Sequence, residues 1–66
     1  MNVLVIGLGS MGKRRIRILL KMLGEGNVFG VDTSEERCKQ TQNLYHIVCF
    51  DTLDEALTLH KYEAAF

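Results

Sequence analysis

The chain has no proline, no tryptophan and no net charge, since its eight basic and eight acidic residues cancel. Its two cysteines, Cys38 and Cys49, are too few for a disulfide framework and lack the spacing of a zinc site. We therefore predict no metal site and a reducing, cytoplasmic compartment. The balanced charge also lacks the strongly basic character that a nucleic-acid or acidic-membrane partner requires.

Long apolar runs are missing as well. No run approaches the roughly 20 residues that a membrane-spanning helix needs. Basic residues follow the first apolar run, whereas a secretory signal peptide carries its positive charge in front. We therefore expect neither a membrane partner nor a signal peptide, and a composition with 47% hydrophobic residues fits one small globular domain.

The first apolar run, Val3 to Ile6, leads directly into a Gly-x-Gly-x-x-Gly motif. Four consecutive aliphatic residues predict a strand buried on both faces of a parallel sheet. In the turn that follows, Gly7 would permit a tight bend, Gly9 would let the backbone approach a pyrophosphate, and Gly12 would let a helix lie close to the strand. The phosphates would lie on free N–H groups at the helix N-terminus. The predicted cofactor-binding residues of this motif are Gly7, Leu8, Gly9, Ser10, Met11 and Gly12.

An acidic residue, Asp32, follows a second apolar run, Val28 to Val31, and stands twenty positions beyond the last glycine of the motif. At this place in a dinucleotide-binding fold, a carboxylate accepts hydrogen bonds from the adenosine ribose. Its negative charge would repel a 2′-phosphate, so NAD is the predicted cofactor in preference to NADP. Thr33 and Arg37 are predicted cofactor-binding residues, and together with Ser34 they offer a competing position for a phosphate.

Helix and strand patterns alternate along the rest of the chain. Apolar residues at helical spacing and hydroxyl residues followed by carboxylates three positions later mark the helices. After the first strand, the predicted elements are a helix over Met11–Leu23, a strand over Val28–Val31, a helix from Ser34 to about Leu44 with Thr33 as its N-cap, a strand over Ile47–Phe50 and a helix that begins at Thr52. This order, βαβαβα, predicts an α/β fold, the first half of a doubly wound parallel-sheet (Rossmann) NAD(P)-binding domain.

The last residues, Tyr62 to Phe66, have the pattern of a fourth strand at its start. A domain of this length buries only about 60% of the surface that its unfolded chain exposes. We therefore expect residues 1–66 to be the N-terminal part of a larger dinucleotide-binding domain, with the second half and a substrate domain outside the chain.

Basic side chains concentrate on the first predicted helix, at Lys13, Arg14, Arg15, Arg17 and Lys21. Charged residues at such spacing normally form a solvated helix face. Lys13 or Arg14 could also neutralise a pyrophosphate at the start of the helix. His46 and His60 are isolated in the sequence and receive no predicted role.

Three segments together resemble the start of the Gfo/Idh/MocA oxidoreductase family: the glycine motif with the basic residues after it (Gly7 to Arg17), Val31-Asp32, and Phe50 to Leu57. The resemblance implies an NAD(P)-dependent oxidoreductase that acts on a hydroxyl or keto group of a sugar, cyclitol or sugar nucleotide. The catalytic lysine of that family, in an E-K-P-type motif, would lie beyond residue 66. No catalytic residue is therefore assigned within the chain, a small-molecule substrate is expected only for the full-length protein, and a homo-oligomer stays open.

Other families share parts of this pattern. The segment Val31 to Arg37 resembles the V-D-x-x-E-E-R turn of RCK domains, regulatory modules of potassium channels and transporters that sense nucleotides without catalysis. Those domains usually continue with a G-D-A-type turn, whereas Phe50-Asp51-Thr52 leads directly into a helix here, which favours the dehydrogenase. The glycine motif is also similar to that of the β-hydroxyacid dehydrogenases, from which Lys13 departs, and a methyltransferase would carry an acidic residue at Ile6.

Overall fold

The computed structural model describes residues 1–24 and 26–66, and within them strands and helices alternate in the predicted order. The elements are β1 (Val3–Ile6), α1 (Ser10–Leu23), β2 (Val28–Val31), α2 (Glu35–Tyr45), β3 (Val48–Phe50), α3 (Leu53–Leu59) and β4 (Ala64–Ala65). The predicted βαβαβα order with the start of a fourth strand is confirmed, and the fold class is α/β.

The strands form one parallel sheet in the order β3-β2-β1-β4. Val3 of β1 lies opposite Val28 of β2 on one side and opposite Ala64 of β4 on the other. The chain therefore steps outward from β1 to β3 and then crosses back to the far side of β1. This reversal creates a topological switch point between β1 and β4, at whose carboxyl edge ligands of such sheets bind.

Two apolar layers cover the sheet, one on each face. Successive strand residues point to opposite faces, so Val5 packs with Ile16 of α1 and Cys38 of α2. On the other face, Leu4 packs with Phe29, Phe50 and Ala56 of α3. The helices α1 and α2 thus cover one face and α3 covers the other, which is the doubly wound arrangement.

Hydroxyl side chains begin the second and third helices, although one start differs from its prediction. Ser34, rather than Thr33, is the N-cap of α2, and its Oγ accepts a hydrogen bond from the Arg37 N–H (3.3 Å). The shift of one residue arises because the Ser34 N–H is bonded to the Asp32 side chain, which fixes the turn before the helix. Thr52 is the N-cap of α3, as predicted.

Two apolar regions are more exposed than their patterns predict. The end of β1 is not buried on both faces, since Ile6 is 49% exposed while Leu4 and Val5 are fully buried. On α3, Ala56 is buried but Leu53 and Leu57 remain exposed. His60 and Tyr62 after this helix pack on the Phe29 ring, with ring centroids 4.5 and 5.5 Å away.

Among the described residues, none of the helices combines the length and the apolar character needed to span a bilayer.

Candidate functional site

A cleft of about 340 Å³ opens at the carboxyl edge of the sheet, where β1, β2 and β3 end. Parallel strands direct their carboxyl ends to one edge, so the three loops that follow these strands meet there. The lining residues are Ile6, Gly7, Val31, Asp32, Thr33, Arg37, Asp51 and Leu53. The cleft is therefore built from the glycine turn, the turn after β2 and the turn after β3.

The carboxylate of Asp32 ties two of these loops together. Its Oδ2 accepts a hydrogen bond from the Leu8 N–H (2.7 Å) in the glycine turn, and its Oδ1 accepts one from the Ser34 N–H (2.8 Å). The Arg37 Nη1 lies 3.7 Å from Oδ2. A carboxylate has about four acceptor positions, and two are used by these N–H groups. Within the described residues no further hydrogen bond to this carboxylate is made.

Asp32 is held in its charged form. The backbone hydrogen bond from Ser34 and then that from Leu8 lower the pKa of its carboxyl below the ordinary value of 3.8, while burial acts in the opposite direction and the positive charge of Arg37 adds to the lowering. The residue is only 9% exposed. At neutral pH the cleft therefore contains a fixed negative charge at the end of β2.

The three glycines of the motif have different structural roles. Gly7 adopts φ +88°, a left-handed conformation that side chains other than glycine rarely adopt. A Cβ on Gly12 would overlap the carbonyl oxygen of Gly7, so the helix could not lie against the turn. Gly9 has an ordinary φ of −72°, and a Cβ there would meet no protein atom within 4 Å. The fold itself requires Gly7 and Gly12, whereas Gly9 leaves open space above the loop.

The N-terminus of α1 faces this open space without competition from acidic side chains. The first bond within the helix runs from the Lys13 N–H to the Gly9 carbonyl oxygen (2.9 Å). The N–H groups of Gly9, Ser10, Met11 and Gly12 precede it and have no partner within the helix. No acidic side chain lies in the first turn. These N–H groups and the helix dipole form a position that suits an anion.

The predicted site residues divide into those that face the cleft and those that support it. Gly7, Asp32, Thr33 and Arg37 line the cleft. Leu8 is fully buried, and its N–H donates to the Asp32 carboxylate, so it anchors the glycine turn to the core.

The first residues of α1 present their N–H groups, and their side chains point away from the core. Ser10 is exposed, and Met11 is 66% exposed, so neither side chain packs in the core. Lys13 donates from Nζ to the Gln40 Oε1 (3.0 Å), which directs its charge toward α2.

Four lining residues do not appear among the predicted ones: Ile6, Val31, Asp51 and Leu53. Asp51 follows β3 just as Asp32 follows β2, and that repetition is visible in the sequence. The apolar residues give no such signal, because an exposed Ile6 has the same sequence pattern as a buried one. Together, Ile6, Val31 and Leu53 supply an apolar wall on which a flat ring can pack.

A buried thiol connects the backbone beneath the cleft. The Cys38 Sγ lies 3.4 Å from the Asp32 carbonyl oxygen and 3.3 Å from that of Phe50, so it joins the ends of β2 and β3. Burial raises the pKa of the Cys38 thiol, and it raises that of Cys49 to about 12. Within residues 1–24 and 26–66, His, Cys, Asp and Glu side chains form no cluster suited to a metal ion.

Comparison with known families identifies one match over nearly the whole chain. The model described as the TrkA-N domain matches residues 3–63. TrkA-N domains are Rossmann-like, RCK-type domains that bind dinucleotides of the NAD type. No curated protein and no solved structure matches the chain.

The predicted membership of the Gfo/Idh/MocA family is wrong, and so is the predicted role in a sugar, cyclitol or sugar-nucleotide dehydrogenase. The features behind that resemblance belong to the dinucleotide-binding half of the fold and do not separate the families. The lack of a G-D-A pattern after β3 does not exclude an RCK-type domain, because Asp51 lies in that turn and lines the cleft. The RCK-like alternative is the better supported one.

Proposed function

The chain belongs to the TrkA-N family, and from that premise we propose that it is a nucleotide-sensing regulatory module that binds NAD in the cleft beside Asp32. The observation that carries this proposal is the Asp32 carboxylate, fixed by one N–H from the glycine turn and one from the turn after β2. The same carboxylate stands beside a helix N-terminus suited to a phosphate.

The pyrophosphate of the ligand is placed over Gly9, on the N–H groups at the start of α1. Three features support this placement: the open space above Gly9, the absence of acidic side chains in the first helical turn, and the lack of intrahelical partners for these N–H groups. The side chains of Ser10 and Met11 remain outside the core, so the predicted contacts at these positions come from the backbone.

The adenosine half of the ligand is placed in the cleft itself. The remaining acceptor positions of Asp32 would receive the ribose hydroxyls. The adenine ring would lie on the apolar wall of Ile6, Val31 and Leu53, with Thr33 and Arg37 at its rim. Because Asp32 is charged and nearly buried, a 2′-phosphate beside it would be repelled, and the preference is for NAD over NADP.

The family and the way the ligand would join the loops both support the regulatory role. A nucleotide in this position contacts the turns after β1, β2 and β3 at once, so binding orders three segments together. We assign the domain to the control of a potassium channel or transporter, as in the RCK domains that the Val31 to Arg37 segment resembles. No residue of the chain is assigned to hydride transfer.

Isothermal titration calorimetry of the chain with NAD and with NADP tests this proposal. Wild-type protein should bind NAD more tightly than NADP. Asp32→Asn should weaken NAD binding about tenfold or more, since hydrogen bonds to a charged acceptor contribute about 1.5–3 kcal/mol. The substitution should also reduce the difference in affinity between NAD and NADP, because the charge that repels the 2′-phosphate is removed. The ratio of the two dissociation constants does not depend on the folded fraction, so a loss of stability alone would leave it unchanged.

Asp54→Asn is the matched control, because Asp54 is exposed in the first turn of α3 and does not line the cleft. It should bind both cofactors as the wild type does. Failure of the wild-type chain to bind either cofactor would contradict NAD binding by this chain. An unchanged cofactor ratio in Asp32→Asn would contradict the proposed role of Asp32.

A further inference from the structure

A second cleft lies between α1 and the C-terminal end of α2. Its volume is about 380 Å³. The lining residues are Arg14, Arg17, Ile18, Leu20, Lys21 and Tyr45. None of them lines the cleft beside Asp32. The volume falls within the range of about 300–1,000 Å³ that is typical of small-molecule sites.

The charges on α1 are all of one sign. The helix carries five of the chain's eight basic residues and none of its eight acidic residues. Arg14, Arg17 and Lys21 are spaced three and four residues apart, so they lie on one side of the helix and repel one another. The arrangement therefore works against the stability of the helix alone.

Intramolecular partners do not offset this repulsion in the part of the chain that the structure describes. Its ion pairs join Arg37 to Asp32 and Lys39 to Glu35, both outside this cleft. The described lining contains no carboxylate. Lys21 has a local structural role, since it lies in the last turn of α1, but this explanation does not extend to the two arginines.

We propose that this cleft, defined by Arg14, Arg17, Lys21 and Tyr45, is a second anion site that binds a ligand with two or more phosphate groups. Guanidinium groups donate paired hydrogen bonds that match phosphate oxygens, and a nearby ammonium adds a further positive charge. The half-buried Tyr45 and the aliphatic side chains of Ile18 and Leu20 form the apolar part of the cleft. The site is separate from the cofactor position and does not depend on cofactor binding.

Titration calorimetry with inorganic tripolyphosphate tests the site, in the presence and absence of saturating NAD. Arg14→Gln/Arg17→Gln should weaken tripolyphosphate binding about tenfold or more, because two charge-assisted contacts are lost. Arg15→Gln is the matched control: Arg15 lies on the same helix, but it borders a different cavity with Phe66. It should change the affinity less than about twofold, and binding should persist with NAD present.

The phosphate groups could belong to a lipid headgroup or to a soluble ligand. Flotation of the protein with phosphatidylcholine vesicles, with and without phosphatidylinositol bisphosphate, distinguishes these two sources. Retention only on the bisphosphate vesicles, lost in the double variant, assigns the site to a lipid headgroup; binding of tripolyphosphate without vesicle retention assigns it to a soluble ligand. Either result supports the site. Equal weakening by the double variant and by Arg15→Gln, displacement of tripolyphosphate by NAD, or no binding of either probe would overturn it.

Discussion

Asp32 determines the geometry of the cofactor cleft at the scale of single residues. Its two oxygens hold the glycine turn and the turn before α2 at a fixed separation through the N–H groups of Leu8 and Ser34. The same oxygens would receive the ribose. The position that selects the ligand therefore also builds the cleft, and a substitution there affects both.

Alanine substitutions at Gly9 and Gly12 should separate an effect on folding stability from an effect on NAD binding. Gly12→Ala should lower the free energy of unfolding by about 1–3 kcal/mol, since its Cβ would overlap the rigid Gly7 carbonyl. Gly9→Ala should lower it by less than about 1 kcal/mol, because only a helix-start preference is lost, yet it should weaken NAD binding because the methyl group occupies the pyrophosphate position. Urea denaturation and NAD titration of both variants check this, and a Gly9→Ala protein with wild-type NAD affinity would contradict it.

The lowered pKa of Asp32 predicts a specific acid dependence of stability. A carboxyl whose pKa is lower in the folded than in the unfolded state stabilises the fold above the unfolded pKa of about 4, and this contribution is lost as the pH falls through the folded value. The difference in unfolding free energy between wild type and Asp32→Asn should therefore shrink as the pH falls from about 5 through the lowered pKa of the folded state. Urea denaturation at several pH values measures it, and a constant difference would show that the carboxylate charge does not stabilise the fold.

At the scale of elements, hydrophobic periodicity and helix starts carry most of the information. The strand from 28 to 31 and the Thr52 cap follow directly from the sequence pattern, and the helix predicted over Met11–Leu23 begins only one residue earlier, at Ser10. The start of α2 could not be predicted to the residue, because Thr33 and Ser34 are both good caps. The tertiary bond from the Ser34 N–H to Asp32 decides between them.

The cap of α2 predicts a measurable difference between two serines. Ser34→Ala should destabilise the chain by about 1 kcal/mol, because the Arg37 N–H loses the Oγ that it donates to. Ser10→Ala is the control, since Ser10 lies in the first turn of α1 and is exposed. Its free energy of unfolding should stay within about 0.5 kcal/mol of the wild-type value. Thermal unfolding followed by circular dichroism compares them, and equal effects would contradict the assigned cap.

At the scale of the whole molecule, the sequence predicts the fold better than the function. The alternation of elements and the glycine motif predict a parallel doubly wound sheet, and the strand order agrees with it. The same features occur in many families, so they do not distinguish a TrkA-N domain from the start of a Gfo/Idh/MocA oxidoreductase. The apolar wall of Ile6, Val31 and Leu53 could not be predicted, because it depends on how three distant loops meet. That residues 1–66 are the N-terminal part of a larger domain stays a prediction.

Titration of the uniformly ¹⁵N-labelled chain with NAD tests dinucleotide binding beside Asp32 most directly. The amide chemical shift of each residue is measured at every NAD concentration. We predict the largest shifts at Gly9 to Gly12, at Asp32 to Ser34 and at Asp51, with little change at Arg17 or Tyr45. A chain that shows no saturable shifts, or shifts confined to the second cleft around Arg17 and Tyr45, would contradict dinucleotide binding beside Asp32.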